Sequence, residues 1–419
     1  MKKQNNYISS FSLKLYNICQ RHPFFRKIKI ILYFIDGFLL LFIKKPKKNS
    51  NKKKKVFIMY NYAFGDGIIF LCVFKHIRKI YNREKYELTI ICQKGLQSIY
   101  ENVDLFDSVI PFDLTKSTFS IFKRIGLFKL LRKQYYDIVI DPIGANECTT
   151  NVFISRALCA DEKITMVDLS NDIILCPKWL YNSIYTKVYI NKKKDLSLIS
   201  YYGEFIKNLG LKNFRVKLEH FDSQNLKIDL PEKYYIVFPS ASTEMKRWPI
   251  KNYAEIVKKI YSKTGMTLLF CGTKSDLGSI EELKKEIGDI PFVDIVGKTS
   301  LLDFISVIKK ANFIVTNDTS TYHIAVTNEV PVTIITGGYT YNKYVLYDFK
   351  DANKFKKPYI VVNKMNCFNC DNKCSKLKKD DKLWPCLSTI SVDDAWKVIN
   401  KMIDETRVDY GTKSNRKNK

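Results

Sequence analysis

From Val56 onward the chain alternates short apolar runs with stretches of helical spacing. VFIMY (56–60), ELTIIC (87–92), DSVIPF (107–112) and YDIVIDP (136–142) read as strands, and GDGIIFLCVFKHIRKIY (65–81) has the spacing of a helix. A helix around 196–209 ends at Gly210, and the polar stretch 211–231, closed by Pro231, reads as an interdomain connection. A second series follows. YYIVFPS (234–240), MTLLFCG (266–272), FVDIVG (292–297), FIVTND (313–318) and VPVTIITGG (330–338) are its strands. NYAEIVKKIYSKTG (252–265), EELKKEIG (281–288), Ser300 to Lys310 and STYHIAVTN (320–328) are its helices. Continuous apolar strands separated by helices mean parallel sheet covered on both faces. The pattern predicts an α/β chain of two doubly wound, Rossmann-like domains with a cleft between them. The expected boundaries are 56–215 for the first domain, 216–231 for the linker and 232–400 for the second. No sequence repeat of 20–50 residues is visible.

The segment before Val56 departs from this pattern. IKIILYFIDGFLLLFI (28–43) has thirteen apolar residues of sixteen, with Lys29 and Asp36 inside it. It is short for a membrane span, and no small-residue cleavage site follows. Residues 1–55 carry fifteen Lys or Arg and one Asp, half of the chain's net +28. Lys44, Lys45, Lys47, Lys48 and Lys52 to Lys55 are the densest run. Two readings fit: an interfacial helix with a polybasic patch on an anionic membrane, or an extension helix docked on the body with solvated lysines. The first is the expectation here; residues 401–419 form a basic tail. With 419 residues and 46% apolar composition, wholesale disorder is excluded. Basic charge without a recognition motif does not make a nucleic-acid partner, and none is expected.

Chemistry is expected at strand ends, where doubly wound folds bind ligands. After the first strand, Gly65-Asp66-Gly67 lets the backbone pass close to a substrate and puts a carboxylate at a helix start, where the dipole favours its ionised form; the bland reading is a simple N-cap. After the first strand of the second series, Ser240, Ser242 and Thr243 precede Lys246-Arg247-Trp248-Pro249. Hydroxyls and cations suit a diphosphate; the bland reading is a solvated loop with Trp248 as a packing anchor. Asp318, Thr319, Ser320 and Thr321 open a helix after another strand, where free N–H groups attract anions. His323, one turn on, is more often a buried hydrogen-bonded residue than a catalyst. Asp294 ends its own strand, as ribose-binding acids do. GxGxxG, GKS/GKT and D-x-D are absent.

Taken together these motifs resemble glycosyltransferase family 9, the lipopolysaccharide heptosyltransferase family. The family's glycine-aspartate turn stands here as Gly65-Asp66. Its K-x-W-P loop stands as SASTEMKRWP, its G-K-x-S-L as GKTSLLDF, and its N-D-T-G-x-x-H-L-A as NDTSTYHIA. Order and spacing match over about residues 56–400. The sequence departs from the pattern at Ser320, a glycine in the family, and at IAVTNEVP, where the family has an alanine-rich LAAALGxP. The resemblance implies a GT-B fold, an ADP-heptose donor, a glycolipid acceptor and inverting transfer that needs no metal or other cofactor. By matching position it implies Asp66 as general base, Lys246 on the diphosphate or donor sugar, Asp294 on the ribose, and Asp318 to Ser320 on the phosphates. Arg247 is the alternative cation. A different nucleotide sugar, a sugar-nucleotide epimerase and an inactive membrane-docked assembly protein are the competing readings. An enzyme of this kind is expected in the cytoplasm, peripheral on the inner face of the cytoplasmic membrane.

Of eleven cysteines, seven are scattered (Cys19, Cys72, Cys92, Cys148, Cys159, Cys176, Cys271), several in apolar runs, as in a reducing compartment. Cys367, Cys370, Cys374 and Cys386 cluster with spacings that suit a tetrahedral thiolate site, and a structural zinc is the expectation. Free thiols, or disulfides in an oxidising compartment, are the other readings, and an iron–sulfur cluster ranks behind them because no redox step is implied.

Overall fold

The computed structural model describes residues 23–48, 52–113, 120–146, 150–169, 176–218, 220–221, 226, 228–349 and 354–406. Cys19, Cys148 and the tail beyond 406 lie outside the described residues. The principal helices are α1 Pro23–Leu41, α2 Phe64–Phe74, α3 Ile121–Leu131, α4 Thr150–Ala157, α5 Lys178–Ile184 and α6 Leu198–Asn208. They continue with α7 Ile250–Thr264, α8 Leu277–Ile287, α9 Leu301–Lys310, α10 Ser320–Thr327 and α11 Val392–Thr406.

Two compact units result. Of the described residues, the first takes those within Met1–Tyr62, Ile77–Lys194 and Asn208–Gly210; the second takes those within Ala63–His76, Asp195–Lys207 and Leu211–Lys419. This differs from a single boundary near 215. Helix α2, which carries Asp66, and most of α6 pack with the second unit, α2 lying against α10. Their apolar faces explain it: Phe70 and Phe74 of α2 meet Tyr202 of α6 at 5.8 and 6.0 Å between ring centroids.

The first unit holds a parallel sheet of β1 Lys54–Tyr60, β2 Tyr86–Gln93, β3 Ser108–Phe112, β4 Tyr136–Asp141, β5 Ala160–Asp168 and β6 Lys187–Asn191. Its order is β3-β2-β1-β4-β5-β6. Val56 pairs with Leu88 on one side of β1 and with Ile138 on the other. Phe57, Met59, Ile91 and Val139 of this sheet share a core with Leu127, Phe128 and Leu131 of α3. The apolar run 28–43 forms α1 and packs on this unit through Leu40. Asp36, which reads as a defect in an apolar helix, is fully buried against Arg124 of α3. Among the described residues no helix is long and apolar enough to cross a membrane.

The second unit's sheet comprises β7 Tyr234–Phe238, β8 Thr267–Phe270, β9 Phe292–Asp294, β10 Phe313–Asn317, β11 Val332–Ile335 and β12 Tyr359–Val361. Its order is β12-β11-β10-β7-β8-β9, the same doubly wound arrangement read from the other edge. The topology is therefore repeated although the sequence is not. Helix α7 ends at Gly265, whose φ of 62° is the left-handed conformation that stops a helix without steric cost. Helix α9 begins with a capping box between Ser300 and Asp303. The helix expected over 65–81 ends at Phe74 and tightens into a 3-10 segment, Lys75–Lys79. The connection after Gly210 is not simply solvated: Phe214, Val216 and Leu218 are buried.

Candidate active site

Asp66 lies in the first turn of α2, but the N-cap position is Ala63. The side chain is therefore not the helix cap that its sequence position allows. Burial lifts its pKa to about 7, and Asp318 adds to the rise, while Lys246, Lys343 and the Ala63 backbone oppose it. The turn is close to α10: a Cβ on Gly65 would stand 2.8 Å from Cδ2 of His323. Only a residue without a side chain lets this turn approach that helix.

The loop after β7 brings Lys246 to Asp318. The ammonium is 2.9 Å from Asp318 Oδ2, and Tyr339 Oη donates to the same oxygen at 3.2 Å. Lys246 also stands 5.4 Å from the centre of the Tyr339 ring. Asp318 is buried, yet Lys246 holds its pKa below the usual carboxylate value against that burial. Opposite charge outweighs desolvation here; at Asp66, without a paired cation, desolvation wins.

Asn317 fixes the two loops to each other. Its Oδ1 accepts from the Trp248 N–H (3.1 Å) and Tyr253 Oη (2.9 Å), and its Nδ2 donates to the Pro239 carbonyl at 2.6 Å. Trp248 is fully buried, and its indole N–H donates to the Ile390 carbonyl at 3.1 Å. Trp384 supports the loop from the same C-terminal segment, its N–H donating to the Met245 carbonyl (3.2 Å) while its ring stacks on Tyr339. Trp248 is thus the packing anchor of this motif, while Lys246 of the same motif pairs with Asp318.

Hydroxyls line the same two loops. Ser240 Oγ and Thr321 Oγ1 are buried with no hydrogen-bond partner among the described residues. Thr319 takes the N-cap position of α10 and pairs its hydroxyl with Thr316 at 3.2 Å, leaving the helix's first N–H groups uncapped by a side chain. Ser320 opens α10, and Ser242 and Thr243 are exposed. Arg247 turns back on its own loop, donating twice to the Ala241 carbonyl at 3.2 and 3.1 Å. Asp294 sits at the end of the edge strand β9, held by Lys284 (2.6 Å) and the Val296 N–H (2.8 Å), and Lys284 keeps it ionised. His323 is buried, with Nδ1 2.9 Å from Tyr347 Oη; burial lowers its pKa to about 4 and leaves the ring neutral.

Residues 124–381 match the family model "Glycosyltransferase family 9 (heptosyltransferase)". The chain belongs to glycosyltransferase family 9. It is 25% identical over 290 residues to the lipopolysaccharide core heptosyltransferase OpsX of Haemophilus influenzae, covering 67% of this chain and 78% of that protein. The crystal structure of a family 9 glycosyl transferase from Veillonella parvula superposes with a TM-score of 0.66 at 16% identity, over 86% of this chain and all of that one. Heptosyltransferase WaaC of E. coli, solved with ADP, gives a TM-score of 0.60 at 16% identity, over 84% of this chain and 99% of that one. The fold is the GT-B fold of these glycosyltransferases.

Three groups of this family 9 site escape a reading of the sequence. Tyr339, Lys343 and Tyr347 follow β11 in a segment with no motif, and they reach Asp318, Asp66 and His323 only through the chain's path. The cysteine cluster fares differently. Cys367, Cys370, Cys374 and Cys386 are free thiols; burial first, and the neighbouring thiols after it, raise the pKa of Cys370 and Cys386. Among the described residues, however, no three His, Cys, Asp or Glu side chains form a set that could hold a metal ion. In this arrangement the expected zinc has no assembled ligand set. Cys386 instead accepts a hydrogen bond from the Gly338 N–H at 3.2 Å, next to Tyr339.

Proposed function

We propose that this chain is an inverting, metal-independent heptosyltransferase that moves heptose from ADP-heptose onto a lipopolysaccharide core or related glycolipid. It works at the inner face of the cytoplasmic membrane. One observation carries the reading: Asp66, Lys246 and Asp318 act on one another within a single unit, with one carboxyl near neutrality and the other ionised. That is the division of labour a base and an ion-paired support need. The acceptor hydroxyl attacks the anomeric carbon as the bond from that carbon to the diphosphate oxygen breaks. Asp66 takes the hydroxyl proton. Lys246, the N–H groups opening α10, and the hydroxyls of Ser240, Thr319, Ser320 and Thr321 meet the charge that grows on the leaving diphosphate. Asp318 positions Lys246. Asp294, although paired with Lys284, keeps lone pairs on both oxygens for ribose hydroxyls. The likeness to OpsX, a lipopolysaccharide core heptosyltransferase, supports the acceptor class, and the likeness to WaaC, solved with ADP, supports the nucleotide.

The test is transfer by purified protein from a panel of nucleotide sugars, in chelator, with the anomeric configuration of the product determined. ADP-heptose should be the preferred donor, with inversion. Asp66→Asn should lower turnover by about 10² to 10⁴ while donor affinity stays nearly unchanged. Equal turnover from an unrelated nucleotide sugar, or an active Asp66→Asn enzyme, would overturn this assignment.

A further inference from the structure

The first unit grips α1 in a way that fixes which side of the helix faces out. Asp36 is fully buried and takes two nitrogens of Arg124, itself nearly buried. Arg156 donates to the Tyr33 carbonyl and lays its guanidinium 3.5 Å from the centre of the Tyr33 ring. Arg132 donates to the Leu40 carbonyl at 2.6 Å and to that of Ile43, closing the helix's C-terminal end. Three arginines from α3, α4 and the residue after α3 therefore hold one face of α1. The opposite face carries Ile31, Phe34, Ile35, Phe38, Leu41 and Phe42, at helical spacing and 39% to 79% exposed. Trp179 of α5, 53% exposed, meets Tyr33 edge-on at 5.7 Å and widens this apolar surface. Lys44, Lys45, Lys47 and Lys48 follow directly, all exposed, with Lys48 also paired at 2.6 Å with Asp161 on the surface of the first unit.

We propose that α1 is an in-plane membrane anchor whose outward stripe enters a bilayer while Lys44, Lys45, Lys47 and Lys48 rest on its anionic headgroups. The occupant follows from charge and geometry. A stripe of large apolar side chains ending in a lysine cluster matches the boundary between acyl chains and anionic headgroups. A second copy would set the same lysines near their counterparts in a chain already carrying net +28. Spanning is not open to α1 as it stands, because Asp36 and Arg124 would have to be separated or drawn into hydrocarbon. This deepens the membrane-surface part of the reading above and depends on it only for the nature of the acceptor.

The experiment uses the full chain and vesicles of phosphatidylglycerol with phosphatidylethanolamine, against pure phosphatidylcholine. The wild type should sediment with the anionic vesicles, and salt should weaken but not abolish binding. Replacing Lys44, Lys45, Lys47 and Lys48 by Gln should cut binding to anionic vesicles by about a hundredfold at low salt. Phe34→Ser, Phe38→Ser and Phe42→Ser together should remove the salt-resistant part. These side chains are exposed, so the melting temperature and ADP binding should stay unchanged, as should turnover on a water-soluble, deacylated acceptor. Unaltered vesicle binding by the triple variant would overturn the proposal. So would a lipid-free wild-type dimer, seen by sedimentation velocity, that the triple variant turns to monomer, since a second copy would then cover the stripe. A wild type that binds vesicles by this face yet transfers no heptose would sink the proposed activity and leave the anchor standing.

Discussion

Two buried aspartates occupy matching places in the two sheets and behave in opposite ways. Strand β4 lies next to β1 in the first sheet as β10 lies next to β7 in the second. Asp141 ends β4 and Asp318 follows β10. Asp141 is fully buried among neutral donors: Tyr185 Oη, Asn151 Nδ2 at 2.7 Å and the Ile143 N–H at 3.1 Å. These bonds do not offset its desolvation, and its pKa rises to about 7. Asp318 has Lys246 and sits below the ordinary value. Burial and strand position are shared, so a single cation makes the difference between a structural strut and an ionised site group. The fold supplies the place; the side chain that arrives from the neighbouring loop decides the chemistry.

The comparison can be broken or sharpened by substitution. Between these two aspartates and their partners, the largest effect should come from Asp318→Asn, which leaves Lys246 without its anchor: transfer should fall by about 10²-fold, read as kcat on a soluble acceptor. If Asp141→Asn costs as much turnover per folded molecule, the two positions are not distinct. Lys246→Ala should weaken ADP by about 10- to 100-fold in calorimetric Kd and adenosine far less, because the lost contact is to phosphate. Equal loss for both ligands would make Lys246 a loop support.

Stability against pH separates the aspartates by sign. Asp141 has a folded pKa above its unfolded one, so its contribution is fully present below about pH 4 and is lost as pH rises through about 7. Asp318 has a depressed folded pKa, so its contribution is present above the unfolded value and is lost as pH falls. Asp141→Asn should cost about 1 to 3 kcal/mol at pH 5 and less at pH 8, measured by urea unfolding. Asp318→Asn should show the reverse slope. The smallest effect is expected from Tyr339→Phe, which removes one hydrogen bond to Asp318: about 1 kcal/mol, or a few-fold in kcat/KM.

What is legible in the sequence follows the same physics. Strands β1, β2, β4, β7, β8, β10 and β11 are continuous apolar runs because both faces of the sheet are covered, whereas the edge strands β3 and β9 are only partly buried. Strand β5 gives no such signal because ADEKITMVD begins with three charges in four residues, partly exposed, and only its later half is buried. Strands β6 and β12 are short edges, and α11 is amphipathic with little net hydrophobicity around Ala395, Ile399 and Met402. At the site, Asp66, Lys246 and Asp318 are visible because strand-end loops must hold their polar groups. Their pairing is not: Asp318 finds Lys246 across 72 positions of sequence, and Asp294 finds Lys284 on a helix it follows. Arg247, an equal candidate to Lys246 by residue type, differs from it in turning back to the Ala241 carbonyl, a contact no sequence pattern announces.

The seam beneath the Lys246 loop sets an order in time. Trp248 hangs from Ile390, and Met245 from Trp384, so the loop after β7 is completed by residues made about a third of the chain later. A ribosome that has passed Trp248 has made Lys246 but not the floor that holds it. The first unit can dock α1 long before that floor exists, since Arg124, Arg132 and Arg156 all precede β7. If α1 is the anchor proposed above, termination between Gly210 and Ile390 should yield a protein that is placed but inert.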